Sequence, residues 1–213
     1  MAGLRTAGLA RDGRSLLLKR RLQSCDHPHA LAGFWSLACQ LTGHAGPPPL
    51  SIGLALTEAA KAAADDLIRT RGWACGFVCI APFCAGLVDG QPKRWPEFPA
   101  LVQKLLPLGW PLVICPGPNE RQEAHDLFAG AHVVEDLPLD VYAALLARSK
   151  LVVANDTGPA HMAAAVGAQV ISVLGPTKVE QWSPWGERVE VLSERPAFPP
   201  LPLVLQTVKR LLD

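Results

Sequence analysis

The residues of this chain best suited to chemistry are Asp156-Thr157-Gly158-Pro159-Ala160-His161, which follow an apolar run at 151–154 and open an alanine-rich segment. Pro159 suits the first position of a helix, where its missing N–H is no loss. Thr157 or Gly158 then falls near the N-cap. The unpaired N–H groups of a first helical turn, with the helix dipole behind them, attract an anion. Gly158 lets a phosphate approach the backbone, and His161 in the first turn is a donor to a phosphate oxygen. The plainer alternative is that Asp156 and Thr157 cap the helix and His161 is a surface group.

Three further clusters have a similar character. "LGPTKVEQW" repeats the arrangement one apolar run later, with Gly175 to turn the chain and the Thr177 hydroxyl to face the same crevice. "QPKRWPEF" brings Lys93 and Arg94 to a helix start, where a cation neutralises a diphosphate. "CPGPNERQE" puts Glu120 just after another apolar run, where an acid accepts hydrogen bonds from a ribose. Each has a plain counterpart: a Gly-Pro turn, a solvated pair of charges, and an acid favoured by a helix dipole. No G-x-G-x-x-G, P-loop or G-x-S-x-G string is present, which argues against dinucleotide oxidoreductases, P-loop NTPases and serine hydrolases of the elbow type. Carboxylates do not cluster, so no metal site is expected.

The elements that must position these groups follow from composition and periodicity. The 213 residues are 49% hydrophobic and 18% charged, enough to bury a core. A net charge of +1 carries no argument for nucleic acid. Arg11, Arg14, Lys19, Arg20 and Arg21 form an early basic cluster, read as a solvated face, with an anionic membrane surface or a phosphate-rich substrate as alternatives. The six cysteines, several inside apolar runs, form no C-x-x-C pair and read as buried free thiols of a reducing compartment. No stretch is long and apolar enough to span a bilayer and no signal peptide is recognised, so a cytoplasmic location is expected, with peripheral contact at the inner membrane left open.

From Gly76 onward, apolar runs alternate with helical segments. "FVCIAPF", "PLVICPG", "AHVVED", "KLVVAND", "QVISVLGPT" and "ERVEVL" read as strands. "WPEFPALVQKLLPLG", "NERQEAHDLFAG", "PLDVYAALLARS" and "GPAHMAAAVGA" read as helices between them. Continuous apolar strands separated by helices predict a parallel, Rossmann-like α/β sheet covered on both faces. Upstream, "RSLLLKR" reads as a strand and "HPHALAGFWSLACQLTG" has a helical spacing, with His29, Ala32, Leu37 and Leu41 recurring at three to five residues. "ALTEAAKAAADDLIRTRG" is an alanine-rich helix stopped at Gly72. "LPLVLQTVKRLLD" is an amphipathic C-terminal helix.

Together these clusters resemble one family. "NDTGPAHMAAAVGAQVISVLGPT" is similar to the signature of the lipopolysaccharide heptosyltransferases, glycosyltransferase family 9. "KRWP", the "GPNE" turn and "LPLDVYAALLARSKLVVAND" fall in that family's order. The resemblance implies the C-terminal, donor-binding half of a GT-B fold plus a remnant of the N-terminal half. Residues 1–72 would be the partial acceptor domain and linker helix, 73–195 the nucleotide-sugar-binding domain, and 196–213 a helix packing back. By that resemblance Asp156, Thr157, Gly158 and His161 hold the diphosphate loop, with Lys93 by the phosphates, Glu120 at the ribose, Leu137 against the adenine and Thr177 on the same crevice. The implied reaction is inverting transfer of heptose from ADP-heptose to a lipopolysaccharide core acceptor, with no bound cofactor or metal.

Two departures from the family pattern bear on this. The family's first domain opens with a strand, a Gly-rich loop and an aspartate that deprotonates the acceptor. Asp12 and Asp26, the aspartates before the "GPPPL" turn, sit in no such loop, so no catalytic base is assigned. "APFCAGLVDGQP" also replaces the hydroxyl-rich turn expected before Lys93. The expectation is therefore a glycosyltransferase truncated at its start or completed by another chain. The alternative is a non-catalytic nucleotide-sugar-binding half-domain, a pseudoenzyme. A third reading is a regulatory or interaction protein on the same scaffold. A half GT-B exposes its cleft face, from which self-association is expected.

Overall fold

The computed structural model describes residues 7–9, 20–23 and 27–213. These form two compact units, Met1–Pro49 with Glu180–Trp182, and Leu50–Val179 with Ser183–Asp213.

In the first unit, β1 (Ala7–Leu9) pairs in parallel with β2 (Arg20–Leu22), and α1 spans Ala30–Thr42. The His29 ring caps α1 by accepting from Leu31 N, and Gly43, at φ 76°, closes it. The Gln40 side chain ties α1 to the end of β2, bonding both the N–H and the C=O of Gln23 at 2.9 Å. The helical spacing of His29, Ala32, Leu37 and Leu41 does give a helix here, but the four are not equally placed. His29 lies outside it as the cap, Ala32 is buried, and Leu41 is exposed. The strand expected at 14–20 lies outside the described residues except for Arg20. So do Asp12, Asp26, Cys25 and the side chains of the basic cluster.

The second unit is built on six parallel strands. In chain order they are β3 (Val78–Ala81), β6 (Leu112–Ile114), β7 (His132–Val133), β8 (Leu151–Asn155), β9 (Val170–Leu174) and β10 (Val189–Ser193). In space the order is β10-β9-β8-β3-β6-β7. The chain thus works outward from β3 through β6 to β7, returns to place β8 on the other side of β3, and continues to β10. Order reverses at the β3–β8 pair. In open α/β sheets, ligands bind in the crevice outside the carboxyl ends of the strands at such a point.

Every residue of β3, β6, β8 and β9 is buried, as continuous apolar strands require when both sheet faces are covered. Alternate side chains go to opposite faces. Cys79, Ala81, Val152, Ala154 and Val170 meet Ala60 and Ala64 of α2 (Glu58–Thr70), Ala144 and Leu145 of α5 (Leu139–Arg148), and Ala160 and Ala163 of α6 (Gly158–Ala165). Val78, Ile80, Leu151, Val153, Ile171 and Val173 meet Phe98, Leu101 and Leu105 of α3 (Phe98–Leu105), Ala124 of α4 (Arg121–Leu127), and Val204 and Val208 of α8 (Leu201–Leu212). The alanine-rich helices lie on the first face because small side chains let a helix approach the sheet closely. α2, read from the sequence as a linker helix, belongs to this unit and packs on α5. α8 lies against α3, its first N–H groups capped by Glu97, whose Oε2 accepts from Leu201 N at 2.9 Å.

Two short antiparallel strands, β4 (Leu87–Val88) and β5 (Gln91–Pro92), form a hairpin between β3 and α3. Its turn residues Asp89 and Gly90 both have positive φ, 51° and 79°, which matches the twist of the flanking strands. A four-residue helix, α7 (Val179–Trp182), and two short 3-10 helices, Leu106–Leu108 and Pro118–Glu120, complete the elements of the described residues. No helix among them is long and apolar enough to cross a membrane.

Candidate functional site

Asp156 is the residue around which the carboxyl ends of β3, β8 and β9 are organised. It directly follows β8 and is buried. The Lys93 Nζ lies 3.0 Å from its Oδ2 and also donates to its main-chain oxygen at 3.2 Å. The Thr177 hydroxyl, from the loop after β9, donates to the same Oδ2 at 2.9 Å. His161 Nε2, from the first turn of α6, stands 3.6 Å from Oδ1. Burial pushes the Asp156 carboxyl up, but His161, the Lys93 ammonium and the Thr177 hydroxyl outweigh it and hold the group below the usual carboxylate range. The carboxylate is therefore an ionised hub with its lone pairs directed to donors from three separate segments.

Lys93 directly follows β5, the returning strand of the hairpin. The excursion is closed at its base by Asn155, the last residue of β8 and fully buried. Its Oδ1 accepts from Trp95 N at 2.8 Å, and its Nδ2 donates to the Pro82 carbonyl at 2.5 Å. The Cys84 thiol donates to the Asp156 carbonyl at 3.1 Å. Arg94, next in sequence to Lys93, turns elsewhere, pairing with Glu123 at 2.7 Å and lying over the Phe83 ring.

Beside the hub lies a cleft of about 510 Å3. Phe83, Cys115, Glu120, Leu137, Tyr142 and Thr157 are among the residues on its wall. Leu137 follows Asp136, which holds a left-handed φ of 55° and is paired with the Arg121 guanidinium. Glu120 Oε2 accepts from Gly117 N at 2.8 Å, so one carboxylate oxygen holds the turn that carries it. Thr157 is the N-cap of α6 by its extended backbone; its carbonyl accepts from Ala160 N at 3.0 Å and its side chain makes no capping bond. Gly158 is exposed, with ordinary φ, and a Cβ there would meet no atom within 4 Å. Neither backbone geometry nor a protein neighbour asks for glycine at this position.

The structure thus brings Lys93, Asp156, His161 and Thr177 into one cluster and sets Thr157, Glu120 and Leu137 on the adjoining cleft, with Gly158 open between them. Gly175 is occupied differently from the sequence reading: a Cβ there would lie 2.7 Å from the Phe198 ring, so its glycine serves packing. Asn155, Cys84 and Arg121 were missed. Asn155 stands in the sequence at the end of an apolar run, beside Asp156, and nothing local to it names its partners Pro82 and Trp95. The Asp89-Gly90 pair between short apolar segments was a usable hairpin signal for the loop that carries Lys93. Of the cysteines, Cys79 is buried and Cys115 mostly so, with burial pushing the Cys115 thiol up to about 12. Cys75, by contrast, is exposed because it lies in the turn before β3, outside the apolar runs.

The chain is similar to known proteins of one family. The family model for glycosyltransferase family 9 (heptosyltransferase) matches residues 1–202. Lipopolysaccharide heptosyltransferase 2 of Escherichia coli K12 is 25% identical over 121 residues, covering 52% of this chain and 35% of that protein. Lipopolysaccharide heptosyltransferase 1 of Pseudomonas aeruginosa is 34% identical over 114 residues, covering 50% of this chain and 32% of that protein. The matches span about a third of the length of these curated relatives. Among solved structures, a glycosyltransferase family 9 protein from Veillonella parvula superposes with a TM-score of 0.74 at 20% identity, over 89% of this chain and 56% of that one. The E. coli heptosyltransferase WaaC, solved with ADP, superposes with a TM-score of 0.68 at 24% identity, over 92% of this chain and 61% of that one. At these identities the superpositions establish a shared fold.

Proposed function

The chain belongs to glycosyltransferase family 9, and on that premise we propose that its second unit binds the nucleotide diphosphate of a sugar donor, ADP-heptose, for transfer of the sugar to a lipopolysaccharide core acceptor with inversion. The observation that carries this reading is the buried Asp156 carboxylate, which gathers Lys93, His161 and Thr177 at the β3–β8 switch point beside the open backbone of Gly158. Asp156 is an anion with its donors already in place. Its role in this reading is to hold Lys93 and His161 toward the ligand, and those two with the first turn of α6 meet the phosphates. As the glycosidic bond breaks, negative charge grows on the leaving diphosphate; fixed donors and a helix N-terminus already aimed there stabilise it without reorganising. Glu120 takes the ribose and Leu137, with the apolar wall of the cleft, takes the adenine. No cofactor or metal enters this account.

Gly158→Ala tests the reading. Calorimetric titration of ADP into the wild-type chain is expected to show binding. The variant is expected to keep the thermal stability of the wild type, because its Cβ meets open space, and to bind ADP about tenfold more weakly because that space is where a phosphate approaches. No binding by the wild-type chain at millimolar ADP, or equal affinities of the two proteins, would remove the diphosphate site from where we place it. Binding of ADP-heptose without ADP release in the presence of a lipid A–core acceptor would leave a nucleotide-sugar-binding protein and not a transferase.

A further inference from the structure

We infer that Asn155 is a positioning residue for Lys93: its side-chain amide closes the base of the Pro82–Trp95 excursion and so fixes where the ammonium stands at the diphosphate site. The ligand in this inference comes from the donor-site reading above; the geometry does not depend on it. Asn155 is fully buried, and its side chain is used in both directions, accepting from Trp95 N and donating to the Pro82 carbonyl. Those two backbone groups are the exit and the return of a fourteen-residue path, 82–95, that contains the hairpin and Lys93. Pro82 and Trp95 are both buried, so either group left without Asn155 is an unpaired polar atom away from water, a loss the loop relieves by moving.

The neighbouring residue completes the latch. The Asp156 carbonyl accepts from Cys84 Sγ near the start of the excursion and from Lys93 Nζ near its end, while the carboxylate takes the ammonium itself. Asn155 and Asp156 thus do different work on the same loop. Asn155 sets the backbone at its base, and Asp156 receives the side chain that the backbone delivers. Asn155 is fully buried and not on the cleft wall, so it acts through Lys93 and not on a ligand.

A double-mutant cycle on the full chain tests this with ADP as the probe. Asn155→Ala is expected to weaken ADP binding about tenfold, and Asn155→Ala combined with Lys93→Ala is expected to bind no more weakly than Lys93→Ala alone, because residues coupled through a backbone shift are not additive. A double variant whose loss equals the product of the two single losses overturns the inference, as does wild-type affinity in Asn155→Ala. If Asn155→Ala does not fold, Asn155→Asp enters the same cycle, since it keeps the shape and the acceptor for Trp95 N. Hydrogen exchange of the backbone amides 84–94 gives a reading that needs no nucleotide. Exchange there is expected to accelerate in the variant more than in β8 or β9, and unchanged exchange overturns the inference even where the donor-site reading stands. Accelerated exchange with no ADP binding by the wild type would keep the latch and remove the donor site.

Discussion

Asp156→Asn separates two roles that a carboxylate beside a diphosphate can play. The substitution keeps the shape and an acceptor for the Thr177 hydroxyl, but it removes the charge that holds the Lys93 ammonium 3.0 Å away. The side chains of the pair are only 23% and 10% exposed, so solvent does not screen the interaction away. Hydrogen bonds to charged groups contribute about 1.5–3 kcal/mol and neutral ones about 0.5–1.5, so the substitution costs about 1–2 kcal/mol of stability. For a unit of this size that is a fall in melting temperature of about 2–8 °C. The effect depends on pH in a defined direction. Because the folded carboxyl titrates below its unfolded value, its stabilisation is fully present above about pH 4 and is lost as pH falls through the lower folded value. Asp156→Asn therefore flattens the acid limb of stability against pH. The binding measurement is the sharper one. Removing a negative charge next to a diphosphate strengthens binding if the carboxylate acts only through its field. If it orders Lys93 and His161, binding weakens, by about tenfold for a loss near 1.4 kcal/mol. ADP titration of wild type and variant near pH 7 decides, and an Asp156→Asn protein that binds ADP as well as or better than wild type refutes the ordering role.

Two further outcomes are expected. Gly175→Ala puts a Cβ 2.7 Å from the Phe198 ring and is expected to destabilise the fold by about 1–3 kcal/mol in urea titration, in contrast to Gly158→Ala; an unchanged midpoint would show that Phe198 yields freely. At pH 8, alkylation followed by mass spectrometry is expected to label Cys75 in the native protein well ahead of Cys115, whose thiol is pushed up to about 12 and is almost wholly protonated there; equal rates would refute the packing described around Cys115.

Much of the second unit was legible in its sequence because its signals are local. The six apolar runs became the six strands, and the segments between them the helices, since a strand buried on both faces needs no partner to betray it. Pro159 after Thr157-Gly158 was enough to place the mouth of α6. α1 was less legible. Its apolar spacing predicted a helix, yet Leu41 is exposed, because apolar periodicity reports what a helix is able to bury and not what covers it. The hairpin leaves only the Asp89-Gly90 turn as a signal, because a two-residue strand has no periodicity, and the role of Asn155 is illegible because its partners lie 60 and 73 positions away.

The residue types of the site were determined by the sequence alone: a cation at 93, acids at 120 and 156, hydroxyls at 157 and 177, an imidazole at 161. Which of them meet was decided only by the tertiary structure. Lys93 and Asp156 are 63 positions apart and touch because β8 returns to pair with β3 instead of extending the sheet beyond β7. Strand order is a property of non-local pairing, in which burial of both sheet faces must offset the loss of chain entropy on closing long loops, and no window of sequence contains that balance. The same pairing turned Asp156 from a residue at a helix mouth into a buried anion surrounded by donors.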